Sequence, residues 1–203
     1  DRGRGERAGR EADDGAGAAI IQIGSAPALH VIADGSNIVL GAGSSGYGLH
    51  LRGSVSAFGV FDGMSATALS IEGDGLGSTA TLMGGLLIDT SVIANAQAAD
   101  AYGVYIGQDA IVPEILLRGN INTSVTSEAA MTGYGVFIDA NADMQTLTNT
   151  GLIVVSYFGE TGNAVAVTDL SGTLETITNS GTIVAQLIQT DDDLSDDIDP
   201  PPI

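Results

Sequence analysis

One nine-residue pattern occurs twice near the C-terminal half of the chain and constrains the fold more than any other feature. Thr146-Leu147-Thr148-Asn149-Thr150-Gly151-Leu152-Ile153-Val154 aligns with Thr176-Ile177-Thr178-Asn179-Ser180-Gly181-Thr182-Ile183-Val184, thirty residues later. A degenerate copy spans Ile115 to Ile121, with Gly119 in the glycine place. A fixed period of this length is the mark of a stacked repeat architecture, in which no unit can bury its apolar face alone.

A second motif runs through the same region: a small or aromatic residue, any residue, an aliphatic, any residue, a second aliphatic. Tyr102-Gly103-Val104-Tyr105-Ile106, Tyr134-Gly135-Val136-Phe137-Ile138 and Tyr47-Gly48-Leu49-His50-Leu51 are the clearest copies. Weaker ones begin at Ala19, Thr67 and Asn163, so successive starts lie 28, 20, 35, 32 and 29 residues apart. Each unit then holds three short β segments, for example Gly135–Ile138, Thr146–Thr148 and Leu152–Val155. Between the second and third lies Asn-x-Gly, where Asn tolerates a left-handed turn and Gly has no Cβ to clash. Segments of three to five residues joined by such corners suit a polygonal coil with one strand per side.

Period-two alternation sets the facing, with Val136 and Ile138 inward and Phe137 outward. Stacked units then predict one ladder of Leu49, Leu69, Val104, Val136 and Val165, and another of Leu51, Ile71, Ile106, Ile138 and Val167. Asn149 above Asn179 predicts a side-chain amide ladder at one corner. Both ends of such a stack are open strand edges, which invite pairing. The expected fold is therefore an all-β parallel β-solenoid (β-helix) of about six irregular coils with three short strands each.

Composition agrees. Glycine supplies 29 of 203 residues, aromatics are 4% and Trp is absent; few good helix formers remain for a bundle. The flanks differ from the middle. Residues 1–14 read as a charged arm carrying Arg2, Arg4, Arg7 and Arg10. Residues 15–185 read as the solenoid. Residues 186–203 read as an acidic tail or linker ending in Pro200, Pro201 and Pro202. The chain begins with Asp1, which predicts a processed product or a fragment. The uncharged stretch Gly15 to Ala33 is long enough to consider as a membrane span. Its interspersed Gly, Gln, Pro and His, and its alternating apolar groups, argue against one.

Six Arg and no Lys stand against 25 acids, for a net charge of −19. That excludes nucleic-acid binding through a basic face and adhesion to an anionic membrane. The lack of Cys excludes a disulfide framework, a thiolate zinc site and a thiol nucleophile.

The Thr176–Val184 motif, with Tyr102–Ile106 before it, resembles the passenger regions of Gram-negative autotransporters. The nearest type is the large Gly/Ala/Thr-rich passengers of sphingomonad-like alphaproteobacteria. The resemblance extends from about Ala101 to Ala185. It implies a right-handed solenoid, export through a C-terminal outer-membrane barrel that is not in this chain, and display at the cell surface. A cysteine-free chain is similar to what such passengers show.

Chemistry-bearing motifs are sparse. Gly41-Ala42-Gly43-Ser44-Ser45-Gly46 is formally GxGxxG after a possible strand at Asn37–Leu40, and Asp62 lies about twenty residues on. Tyr47 onward alternates like a strand, however, so the helix N-terminus that would hold a phosphate is lacking. Neither His30 nor His50 lies in a nucleophile motif; Gly63-Met64-Ser65-Ala66-Thr67 misses the final glycine of the elbow. His50 is expected to face outward. Asp109, Asp139 and Asp169 follow equivalent strands and are candidates for a column of acids, either a Ca²⁺ site or a glycosidase pair. The ordinary role of Asp at such places is a solvated turn. Six crowded Asp between Asp191 and Asp199 suit weak Ca²⁺ binding, or a plain charged linker.

The expected function is a non-enzymatic extracellular structural module: a surface-displayed adhesin stalk, or a fibre subunit that stacks on copies of itself or on flanking coils of a longer chain. No catalytic, cofactor-binding or metal residue is assigned, and no cofactor beyond weak Ca²⁺. The alternative is a carbohydrate-active β-helix enzyme, a polysaccharide lyase or hydrolase.

Overall fold

The computed structural model describes residues 18–189. Every regular element among them is a β-strand, and every strand pairing within the sheets is parallel. The chain winds as a coil. Its first turn lays down β1 (Ala19–Ile23), β2 (Leu29–Ile32), β3 (Ile38–Leu40) and β4 (Leu49–Leu51). The second repeats the course with β5 (Ser54–Gly59), β6 (Ala66–Glu72), β7 (Ala80–Leu82) and β8 (Leu86–Ile88). The third does so with β9 (Ser91–Gln97), β10 (Ala101–Ile106), β11 (Ala110–Ile111) and β12 (Glu114–Leu117). The fourth has β13 (Asn120–Thr126), β14 (Thr132–Ile138) and β15 (Thr146–Asn149). The fifth has β16 (Leu152–Phe158), β17 (Asn163–Asp169) and β18 (Thr176–Asn179), and β19 (Thr182–Ile188) starts a sixth.

Like strands stack into four walls. The first wall runs β1-β5-β9-β13-β16-β19 and the second β2-β6-β10-β14-β17. The third has only β3-β7-β11, and the fourth runs β4-β8-β12-β15-β18. The fold is thus a parallel β-solenoid of five complete turns and one strand more, close to the expected six. Three strands per turn describes the fourth and fifth turns. The first three turns carry an extra short strand, so the coil tapers from four-sided to three-sided. β19 runs to Ile188, three residues beyond the expected end of the solenoid at 185.

Alternation builds the core. Ile20, Val55, Val92, Ile121, Ile153 and Ile183 stack in register on the first wall. Leu29, Leu69, Val104, Val136 and Val167 do so on the second. Val136 and Ile138 are fully buried while Phe137 looks outward, as expected.

Four of the expected ladder members, in two pairs, are misplaced. Leu49 and Leu51 lie on the fourth wall, opposite Leu86 and Ile88. Val165 pairs with Tyr134, and Val167 takes the place opposite Val136. An x-Val-x-Val run fits either frame two residues apart; the backbone bond from the Asn163 N–H to the Met131 carbonyl fixes which. The weak copy at Ala19 likewise sits on the first wall, and Leu29–Ile32 is the first-turn member of the second.

The Asn-x-Gly corner is real and its glycine has no room for a Cβ, as expected, but the corner is not left-handed. Gly151 and Gly181 are absent from the positive-φ residues. A Cβ on Gly151 would run into the backbone of the turn before, onto the Gly119 carbonyl oxygen and 2.7 Å from that of Arg118. A Cβ on Gly181 would meet the Gly151 carbonyl and lie 2.8 Å from the Gly151 nitrogen. Glycines stacked on glycines let successive corners nest at the ~4.8 Å strand spacing. Neither Asn149 nor Asn179 takes the expected left-handed conformation, but the expected amide ladder forms: Asn149 is fully buried and its Nδ2 donates to Asn179 Oδ1 at 2.8 Å. These amides continue a ladder whose earlier members are Leu51, Ile88 and Leu117.

Candidate functional site

The residues singled out from sequence do not converge. Gly41–Gly46 connects the third and fourth walls, and Leu49–Leu51 after it is a strand. Asp62 lies at the corner between the first and second walls, so the dinucleotide arrangement has neither its helix nor its acid. His30 faces outward on the second wall against Glu72, with Nε2 2.5 Å from Oε1. His50 is on the fourth wall, 2.7 Å from Asp89, which also faces Arg118 at 3.7 Å.

The Asp109, Asp139 and Asp169 column does not form. Asp169 pairs in register with Ile138, one residue short of Asp139. Its carboxylate closes its own loop, accepting from the N–H groups of Ser171, Gly172 and Leu174. Partial burial pushes its pKa up, but those bonds outweigh it and hold the group below the usual carboxylate range. Asp139 accepts the Tyr105 hydroxyl at 2.6 Å. Among the described residues no three His, Cys, Asp or Glu are grouped to hold a metal ion. The Asp191–Asp199 run and the Arg-bearing arm lie outside the described residues.

Three features stand out, the first two of them not foreseen from sequence. The first is an aromatic quartet outside the second wall. Tyr102 stacks on Tyr134 with ring centroids 5.0 Å apart, and Tyr105 on Phe137 at 5.6 Å. Burial pushes the Tyr102 hydroxyl up to about 12, with Asp100 adding to it; burial and the Asp139 hydrogen bond raise Tyr105 further. The glycines that follow Tyr102 and Tyr134 turn inward, where a Cβ on Gly135 would meet Ile153 and Val155 of the facing wall at 2.8 and 3.2 Å.

The second feature is a notch at the corner between the first and second walls. Connections there are six residues long in the second turn (60–65), three in the third (98–100) and five in the fourth (127–131). A short connection between two longer ones leaves a hollow of about 450 Å³, floored by Gln97, Ala98 and Thr126 and walled by Asp62, Glu128 and Phe158. A second hollow of about 280 Å³ shares Gln97 and Thr126 with it and adds Phe58, Asn95 and Ser124. Its walls are tied down. The Gly63 N–H donates to the Gln97 carbonyl at 3.0 Å. The buried Tyr157 donates its hydroxyl to the carbonyls of Ser127, at 2.9 Å, and Ala129. Neither hollow has a basic residue in its lining. The signal for this notch was the unequal spacing of the repeats, together with Tyr157 at an inward place.

The third feature is the pair of end coils. Among the described residues, β18 and most of β1 are exposed; the inward-row Ile20 is 41% and Ile177 51% accessible.

These observations define a parallel β-solenoid with exposed end coils and a groove at one of its corners. Comparison with protein-family models, curated proteins and solved structures finds no match to this chain. No helix among the described residues is long and apolar enough to cross a membrane.

Proposed function

We propose that this chain is a non-enzymatic structural module of an extracellular adhesin stalk or surface fibre, of the autotransporter-passenger kind, displayed on a Gram-negative cell. One observation carries the reading: among the described residues the inward ladders run in register through all five turns and end on exposed strands that present Ile20 on one side and Ile177 on the other. A next coil would bury Ile20 at one end and Ile177 and Ile183 at the other. Burial of an aliphatic side chain contributes roughly 1.5–3 kcal/mol, and the strand edges gain hydrogen-bond partners. Nucleic acid and direct membrane insertion play no part in this reading, and no cofactor does beyond weak Ca²⁺ binding by the acidic tail.

The next coil comes from a flanking segment more readily than from a second copy. Head to tail, a copy would set Leu51 over Asn179 and a four-sided turn over a three-sided one. Such a heterologous contact would also propagate as a filament. The test is surface labelling of intact cells expressing the full reading frame, with electron microscopy of the isolated chain. Label on intact cells is expected; label only after lysis overturns the reading. Long rods of the isolated chain at physiological salt would instead favour the self-stacking fibre subunit.

A further inference from the structure

We infer that the notch and its extension form a binding groove for a neutral, hydroxyl-rich polysaccharide. The floor lies on the outer face of the first wall, in the third and fourth turns. There Asn95, Gln97, Ser124 and Thr126 make two adjacent rows of uncharged donors and acceptors, set by the pairings of Asn95 with Ser124 and Gln97 with Thr126. Ser124 Oγ donates to Asn95 Oδ1 at 2.8 Å, which fixes that amide with its NH₂ free to turn outward. Phe58 flanks one end of this patch and Phe158 the other, Phe158 pairing with Thr126. An amide and hydroxyl floor meets the hydroxyl edges of a sugar, and a phenyl flank meets its C–H face.

Charge selects within that class. Asp62 and Glu128 stand on opposite rims, and residues 18–189 carry fourteen acids against Arg52 and Arg118. Both arginines sit just beyond strands of the fourth wall, at the other end of the first-wall strands. An acidic polymer is therefore repelled, while rim carboxylates accept bonds from neutral hydroxyls. A peptide adding as a strand would need a sheet edge, and this floor is a sheet face. The aromatic quartet on the second wall is the weaker candidate for a sugar, because its ring faces are spent on each other. The groove is preformed, since Tyr157 and the Gly63 N–H hold its two walls in place.

The test is affinity electrophoresis of the full chain in native gels containing soluble β-glucan, galactomannan, xyloglucan or polygalacturonate. Its net charge of −19 makes migration easy to follow. Retardation by at least one neutral polymer, and none by polygalacturonate, is expected. The double variant Gln97→Ala/Thr126→Ala changes only exposed side chains. It should weaken binding roughly tenfold or more, the scale of two lost neutral hydrogen bonds. Asn122→Ala, outward on the same wall but away from the groove, should bind as the parent does. Retardation by none of the three neutral polymers overturns the inference. So does preference for polygalacturonate, or retardation that the double variant leaves unchanged. Retardation is read against the same protein in a polymer-free gel, so stacking of the end coils, which is present in both gels, does not alter the outcome.

Discussion

Gly151→Ala tests the stacking of the corners. One methyl is added at an interior turn, with Gly119 on one side and Gly181 on the other. The new Cβ would meet the Gly119 carbonyl oxygen, and would lie 2.7 Å and 2.8 Å from the Arg118 carbonyl oxygen and carbon. All three are backbone atoms, so no rotamer change relieves the clash. Overpacking of this kind costs about 1–3 kcal/mol. Any shift also strains the bond from the Leu152 N–H to the Gly119 carbonyl, 3.0 Å long, which contributes about 0.5–1.5 kcal/mol. The total is roughly 2–4 kcal/mol, or a fall in melting midpoint of about 5–15 °C for a chain of this size. Gly172→Ala is the contrast. Gly172 has φ +70° and nothing within 4 Å of its Cβ position, so it loses only the left-handed backbone preference, about 1–2 kcal/mol. Thermal melts followed by far-ultraviolet circular dichroism decide the matter. If Gly151→Ala melts within about 2 °C of the parent, less than ~1 kcal/mol has been lost and close nesting of corners is the wrong explanation. A Gly172→Ala variant that melts lower than Gly151→Ala would be equally damaging.

Val136→Asp places a carboxylate in a fully buried ladder position, which costs several kcal/mol. Phe137→Asp loses chiefly its stack on Tyr105, about 0.5–1.5 kcal/mol; melts in the reverse order would mean the wall faces the other way. Asn149→Asp sets a carboxylate oxygen where an amide now donates to the Thr182 carbonyl at 3.1 Å. It should melt well below Asn149→Leu at neutral pH and recover towards it in acid, as protonation restores a donor; a pH-independent difference would refute this. The raised Tyr102 and Tyr105 hydroxyls give a base-sensitive fold. A folded pKa above the unfolded value near 10 contributes stability that is complete below that pH and is lost as pH rises towards about 12, where Tyr102 titrates. Phenolate absorbance should therefore show late-titrating tyrosines in the folded chain, one fewer in Tyr105→Phe, and an unaltered titration curve in that variant would count against the account.

The sequence by itself determined the architecture and the facing. A thirty-residue period, segments too short for hairpins and period-two alternation leave a parallel solenoid with Val136 and Ile138 inward. The Asn149–Asn179 amide ladder was legible for the same reason, since equivalent residues of stacked turns must touch. These are local or strictly periodic properties, readable from a window of one turn.

Which wall a given run occupies is not local. It depends on the number of residues in each turn, the sum of every connection around it. Leu49–Leu51 therefore fits the second-wall pattern in sequence yet lies on the fourth wall, and Val165 keeps its wall but stands two residues out of the expected register. What a Cβ on Gly151 or Gly181 would strike was also out of reach, because a clash with the backbone of the turn before exists only once turns nest. The taper and the notch come from the same source. Three residues at 98–100 between six at 60–65 and five at 127–131 mean nothing in a linear string, but they make a hollow once the turns are stacked at the spacing that backbone hydrogen bonds impose.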